Sequence, residues 1–373
     1  MTPEEGFSQA LRHHREGRLD EARRLYRLVL DADAGQADAL HMLGVLAHQR
    51  GEHAEAAEWV GKAIAVRGDD PACHANLGCV LKALGRTEEA LASFRRALAL
   101  WPDYPEAHCN LGEALVDLGR TEEAIACFQG ALRSRPDFVP AHFGLGLVCC
   151  TRGDADAARD HFQRVVACDP GHVDALNNLG ALFLESFEPA RAEACFRRIL
   201  AIDSRHVMAW YNLGLAMQQQ GRLGEAEERY RQAVALQPGH VDALNNLGNI
   251  SYRNKCFDSA ERYYRQAIDS HPDDCKAYAN LANILFVQTR FDEAVACCHR
   301  ASALEPAAQQ PWSTLLFGLP YHPDRDARGL YEAFREYDAR FVLPYRAEWR
   351  PHANPPDENR RLKLGYGACR RMA

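Results

Sequence analysis

No run of this 373-residue chain reaches the roughly 18 consecutive apolar residues of a membrane span. Its opening, Met1-Thr-Pro-Glu-Glu-Gly-Phe-Ser-Gln-Ala, lacks the basic and apolar regions of a secretory signal, so neither a membrane partner nor export is expected. A surplus of positive charge is missing too. There are 44 Lys+Arg against 51 Asp+Glu, a formal net charge of −7, which argues against nucleic acid as a partner. The balance is uneven: residues 307–373 carry 11 Lys+Arg and 8 Asp+Glu, so a mildly acidic array precedes a mildly basic tail.

Paired cysteine motifs are also lacking. The 13 cysteines are odd in number and include no CxxC, while Cys149-Cys150 and Cys297-Cys298 are adjacent pairs, unsuited to a metal or a disulfide framework. Cys127, Cys195 and Cys297 share one repeat position, as small helix-buried residues would, and this reads as reduced, structural thiols in a cytoplasmic protein. There is no GxSxG, HExxH, GxxxxGK[ST] or strand-borne GxGxxG. No catalytic residue, no metal site and no cofactor is expected.

What is present is a period. Leu-Gly recurs at Leu43-Gly44, Leu77-Gly78, Leu111-Gly112, Leu145-Gly146, Leu179-Gly180, Leu213-Gly214 and Leu247-Gly248, always 34 residues apart, and Ala10 and Ala282 extend the series. Twelve residues after each small site stands an alanine: Ala22, Ala56, Ala90, Ala124, Ala158, Ala192, Ala226, Ala260 and Ala294. Four residues further on come Tyr26, Val60, Phe94, Phe128, Phe162, Phe196, Tyr230, Tyr264 and Cys298, and then Pro102, Pro136, Pro170, Pro238, Pro272 and Pro306.

Physical reasons fit each position. Small residues let two helices cross closely, and the aromatic, one turn beyond the alanine, is expected to fill the seam to the following repeat. Proline ends the second helix. Gly17, Gly51, Gly85, Gly119, Gly153 and Gly221 are expected to supply left-handed turns between the helices. A period of this length means stacked units with no single core, which explains how so long a chain needs no division into ordinary domains.

This pattern over residues 3–306 resembles the tetratricopeptide-repeat family. The resemblance implies an all-α, right-handed superhelical solenoid of nine helix-turn-helix repeats, with the first helices lining a concave groove that holds proteins or extended peptides. Just before the small site stand Asn76, Asn110, Asn178, Asn212, Asn246 and Asn280, with Gly144 interrupting the series. A carboxamide both donates and accepts, so this column is the expected peptide-binding site, against the plainer reading of tolerated polar residues that bond a neighbouring helix. His74, His108 and His142 also repeat, too far apart for one metal, and are read as packing. The pairs Asp31/Asp33, Asp154/Asp156 and Asp324/Asp326 have no ligand partners in the sequence.

After Pro306 the period stops. A helical cap is expected over 307–343: a short helix near Pro311–Gly318, then an amphipathic helix over 327–342 packing through Leu330, Phe334, Tyr337 and Phe341. A Pro-rich linker over 344–360 and a strand-like Arg361-Leu362-Lys363-Leu364-Gly365-Tyr366 follow. Together with Leu315-Leu316-Phe317, Tyr321-His322-Pro323-Asp324 and Pro351-His352-Ala353-Asn354, this order resembles the entry to the catalytic region of the protein O-linked N-acetylglucosamine transferases and their Spindly-type relatives. That resemblance implies the substrate-recognition part of a protein glycosyltransferase, with 361–373 a truncated start of the catalytic region, its lobes missing and the chain inactive alone. A free-standing scaffold or an assembly module, including a possible homo-oligomer, is the alternative.

Overall fold

The computed structural model describes residues 2–348, and all regular structure among them is helical. The described residues form two compact units that divide after Pro238. In the first unit the leading helices of successive hairpins are α1 (Pro3–Arg15), α3 (Ala37–Gln49), α5 (Pro71–Ala83), α7 (Pro105–Asp117), α9 (Val139–Thr151), α11 (Val173–Glu185) and α13 (Val207–Gln219). Their partners are α2 (Leu19–Ala32), α4 (His53–Val66), α6 (Thr87–Leu100), α8 (Thr121–Ser134), α10 (Ala155–Cys168), α12 (Pro189–Ile202) and α14 (Leu223–Leu236). The second unit holds the hairpins α15 (Val241–Arg253) with α16 (Phe257–Ser270) and α17 (Cys275–Val287) with α18 (Phe291–Leu304). It then adds α19 (Gln309–Gly318), a 3-10 turn at Leu319–Tyr321, α20 (Ala327–Phe341) and a 3-10 segment at Leu343–Glu348.

Local chemistry sets the helix ends. Gly17, Gly51, Gly85, Gly119, Gly153 and Gly221 all have φ between 71° and 78°, the left-handed cap expected of them. Where the glycine is missing the turn persists, with Phe187, Lys255 and Thr289 held at φ 57°, 60° and 61°. Packing of the flanking helices therefore imposes the turn, and the side chain accommodates it. The second helices stop before their prolines, and Trp101, Arg135, Asp169, Gln237 and His271 are extended, as residues preceding proline must be. Ala34, Gly68 and Ser204 occupy the proline position elsewhere, yet α2, α4 and α12 end at the same point.

The recurring small residue has a sharper purpose than close helix crossing. A Cβ built on Gly78 would lie 2.5 Å from the ring of Phe94, and one on Gly146 would lie 2.6 Å from Phe162. The same holds for Gly112 with Phe128, Gly180 with Phe196, Gly214 with Tyr230 and Gly248 with Tyr264. Each aromatic ring thus fills the notch in the first helix of its own hairpin, and Phe128 also reaches the next hairpin at Gly144, so the expected seam filling is joined by a contact within the hairpin. These rings and the paired alanines are fully or almost fully buried. Ala282 faces Cys298 in one buried cluster, a slimmer side chain where the notch is shallower.

In the second unit Trp312, Leu315 and Leu319 close over Ala282, Val295 and Cys298. The α20 helix lies on this cluster through Leu330, Ala333, Tyr337 and Phe341, whereas Phe334 is 49% exposed. The expected stripe was therefore right at three positions and misplaced at Phe334, because the supporting cluster meets the helix at i, i+3 and i+7. The first residues of the expected linker, 344–348, belong to the last 3-10 segment; the rest of it and the strand expected at 361–366 lie outside the described residues.

Two outcomes follow from the glycines. Gly61 lies inside α4 with nothing within 4 Å of a Cβ, so Gly61→Ala should raise thermal stability by roughly 0.5–1 kcal/mol. Gly146→Ala should lower it by about 1–3 kcal/mol, because the Phe162 ring must move. Equal effects of the two, measured by circular-dichroism melting, would remove the notch from the account. Thr289→Gly should stabilise by up to about 1 kcal/mol, since a β-branched residue is strained at φ 61°; a lower melting temperature would show that the turn is not strained.

Candidate functional site: a carboxamide column on the first-helix face

Successive first helices touch one another, α3 with α5, α5 with α7, α7 with α9 and α11 with α13 in the first unit, and α15 with α17 in the second. No two successive second helices do so to a comparable extent among the described residues. The first helices therefore form the closer-packed, inner face of each unit. Asn76, Asn110, Asn178 and Asn212 lie at one register on α5, α7, α11 and α13; Asn246 and Asn280 take the same place on α15 and α17. Asn212 is 9% exposed and the other five are half-buried.

The amides of the first unit share a polarity. Asn76 Nδ2 donates to His41 Nε2 at 2.7 Å, Asn110 Nδ2 to Cys79 Sγ at 3.3 Å, Asn178 Nδ2 to the Asp174 carbonyl at 2.9 Å and Asn212 Nδ2 to Asn177 Oδ1 at 3.1 Å. In each, the donor is held by the protein and Oδ1 accepts nothing from the described residues. The sequence suggested that both halves of the amide would be free; the geometry leaves the acceptor half. Asn246 and Asn280 make no hydrogen bond among the described residues.

Other residues singled out by the sequence are structural. His74, His108 and His142 each donate through Nε2 to a carbonyl six residues back, that of Gly68, Pro102 and Pro136, at 3.0, 2.8 and 2.9 Å. Trp210 does the same to Ser204 at 2.9 Å. These side chains latch the turn between repeats. One Asp of each acidic pair is a local cap: Asp33 accepts from Gly35 N, Asp154 from Ala157 N and Asp326 from Gly329 N.

Some arrangements were not foreseen. Arg86, Arg120, Arg222 and Arg290 precede second helices and each grips a Glu three residues on, the closest contacts being 2.6–2.7 Å. The signal was an Arg-x-x-Glu at a fixed repeat position. Glu193, 7% exposed, takes Arg197 at 2.7 Å and Arg222 at 2.8 Å, joining α12 to the turn before α14. Glu261 repeats this with Arg265 and Arg290, both at 2.8 Å, in the second unit. Burial opposes ionisation of Glu261, but the two guanidiniums outweigh it and hold its carboxyl below the ordinary range.

His41, Asp70 and Cys73 converge, their potential ligand atoms within 4.8 Å of one another. Burial, with Asp70 beside it, pushes the Cys73 thiol up to about 12. Asp70 caps α5 through Ala72 N and holds Arg67 at 2.8 Å. A cation here would have to displace that guanidinium and ionise a reluctant thiol, so the cluster reads as an inter-repeat contact. No helix among the described residues is long and apolar enough to cross a membrane.

Comparison with known proteins bears on this geometry. No curated protein matches the sequence. Among solved structures, PilF of Pseudomonas aeruginosa is 19% identical with a TM-score of 0.49, covering 56% of this chain and 95% of its own. YrrB, described as a TPR protein with an unusual peptide-binding site, is 26% identical with a TM-score of 0.45, covering 50% of this chain and 97% of its own. The Cut9–Hcn1 assembly of the APC/C is 16% identical with a TM-score of 0.50, covering 74% of this chain and 55% of its own, a likeness of fold. Residues 13–77 match a tetratricopeptide-repeat family model and residues 78–119 a TPR-repeat model. Residues 102–314 match the model described as the Cilia and flagella-associated protein 70 C-terminal domain. That last match spans more than half of the chain, and with the 34-residue period and the stacked hairpins it shows that the chain belongs to the tetratricopeptide-repeat family, as a repeat scaffold.

Proposed function

We propose that this scaffold holds extended peptide segments of partner proteins against its first-helix face. The observation that carries the reading is the shared polarity of Asn76, Asn110, Asn178 and Asn212. Four carboxamide oxygens at one register, each fixed from behind by its own Nδ2, offer acceptors to successive backbone N–H groups of a strand. Such bonds recognise the main chain, so they grip without selecting sequence. Twelve free cysteines among the described residues support work in a reducing compartment, the cytoplasm being the one the sequence suggests.

Replacing Asn76, Asn110, Asn178 and Asn212 together by Ala should leave helicity intact and weaken binding of peptides selected on the wild-type chain. Each lost bond is worth about 0.5–1.5 kcal/mol net. Isothermal titration giving unchanged affinity would leave the column as inter-helix packing only.

A second reading is that the scaffold is the substrate-recognition part of a protein O-GlcNAc transferase-like polypeptide. It rests on the sequence resemblance at 315–317 and 321–324, residues that lie in and after α19, where buried His322 meets Asp292 at 3.2 Å. The other residues behind it, 351–354 and 361–366, lie outside the described residues. On this reading the groups that bind a nucleotide sugar and stabilise its leaving diphosphate are not expected within the described repeats. Purified protein with labelled UDP-N-acetylglucosamine and a Ser/Thr-rich acceptor should show no transfer; turnover that survives repurification would reveal a site within the repeats.

A further inference from the structure

The carboxamide column is interrupted at Gly144, and the interruption has a shape. Gly144 sits on α9 between the helices that carry Asn110 and Asn178, and a Cβ built on it would lie 2.6 Å from the Phe128 ring. No side chain can stand there while Phe128 keeps its place. In front of the ring is a cavity of about 250 Å³, floored by Phe128 and Val148 and walled by Val116 and Leu147. Val116 is 41% and Leu147 40% exposed, so two large apolar side chains face solvent across one opening. The volume is below the roughly 300–1,000 Å³ of a small-molecule pocket and suits one side chain.

The rim is charged. Lys82 Nζ lies 3.2 Å from Glu113 and 3.3 Å from Asp117. Burial alone would lower the Lys82 pKa, but the two carboxylates reverse the shift and keep the ammonium charged. One cation is shared by two anions, and both carboxylates are about half exposed. The mouth therefore carries a net negative charge beside an apolar hole.

We propose that this cavity is the selective pocket of the peptide-binding face, taking one aliphatic or aromatic side chain of an extended segment whose neighbouring residue is Lys or Arg. The inference rests on the peptide reading above. A strand running along the Asn oxygens crosses the mouth at the register where the column stops, so the main chain is gripped on either side and a side chain can drop in between. Apolar surface supplies the affinity at the centre, and the excess carboxylate on the rim favours a basic neighbour over an acidic one.

The test uses the full chain and a displayed library of random peptides a dozen residues long. Selected peptides should carry an apolar residue beside Lys or Arg, and their affinity should fall as salt rises. Val116→Gln with Leu147→Gln, at positions already exposed, should weaken them by about tenfold or more with little change in melting temperature. Glu113→Gln with Asp117→Asn should abolish the preference for a basic neighbour while the apolar preference remains. Peptides that bind both double variants as they bind wild type overturn the pocket; if the fourfold Asn variant still weakens those peptides, the peptide-binding face itself stands. A selection that yields no binder overturns both.

Discussion

Six of the hairpins rest on an aromatic ring seated in a notch left by glycine, and the others follow the same pattern with Tyr26, Val60 or Cys298 at the ring position. The first helix of a hairpin is apolar on the face it turns to its partner, but two helices alone bury too little to be stable. Removing one side chain lets Phe94, Phe128, Phe162, Phe196, Tyr230 or Tyr264 lie directly against the opposing backbone. The hairpin then has one geometry, because a ring fits the notch in only one register. Glycine inside a helix is unfavourable by roughly 1 kcal/mol relative to alanine, and the buried ring offsets it. Repetition turns a local solution into a solenoid.

Once the hairpins are uniform, what lies between them is fixed as well. The His74, His108 and His142 latches hold the inter-repeat turns, and Glu193 and Glu261 join a second helix to the turn of the following hairpin. Carboxylates with two guanidinium partners, Glu193 buried and Glu261 half-buried, specify register more than they add stability. Within each unit most successive first helices are then close enough to touch, so that residues 34 apart in sequence become neighbours on one face. The column of carboxamides is a consequence of that proximity, and its break at Gly144 opens a cavity only because Phe128 is held in its own notch at that point.

Much of this was legible beforehand. The Leu-Gly, Ala, aromatic and Pro positions gave helix number, hairpin boundaries and the left-handed turns, since each depends on a property local to one or two residues. The asparagine column could be named from its spacing too. The partner of each ring could not, because the residue one turn along a helix faces both its own hairpin and the next. Nor could the polarity of the amides be read, since His41, Cys79 and Asn177 are 31 to 35 residues from the amides they meet. Phe334 was misjudged for a related reason: helical spacing permits several stripes, and the surface underneath chooses one.

By itself, then, the sequence determined the repeat, the all-helical fold and the places where small, aromatic and turn residues had to stand, because these follow from backbone sterics and helical periodicity. Only the tertiary structure decided which half of each carboxamide stays free, which histidines are latches and where the inner face opens into a pocket. Those outcomes depend on which side chains and carbonyls the turns and neighbouring helices bring within bonding distance, and most of those distances exist only once the hairpins have formed and stacked.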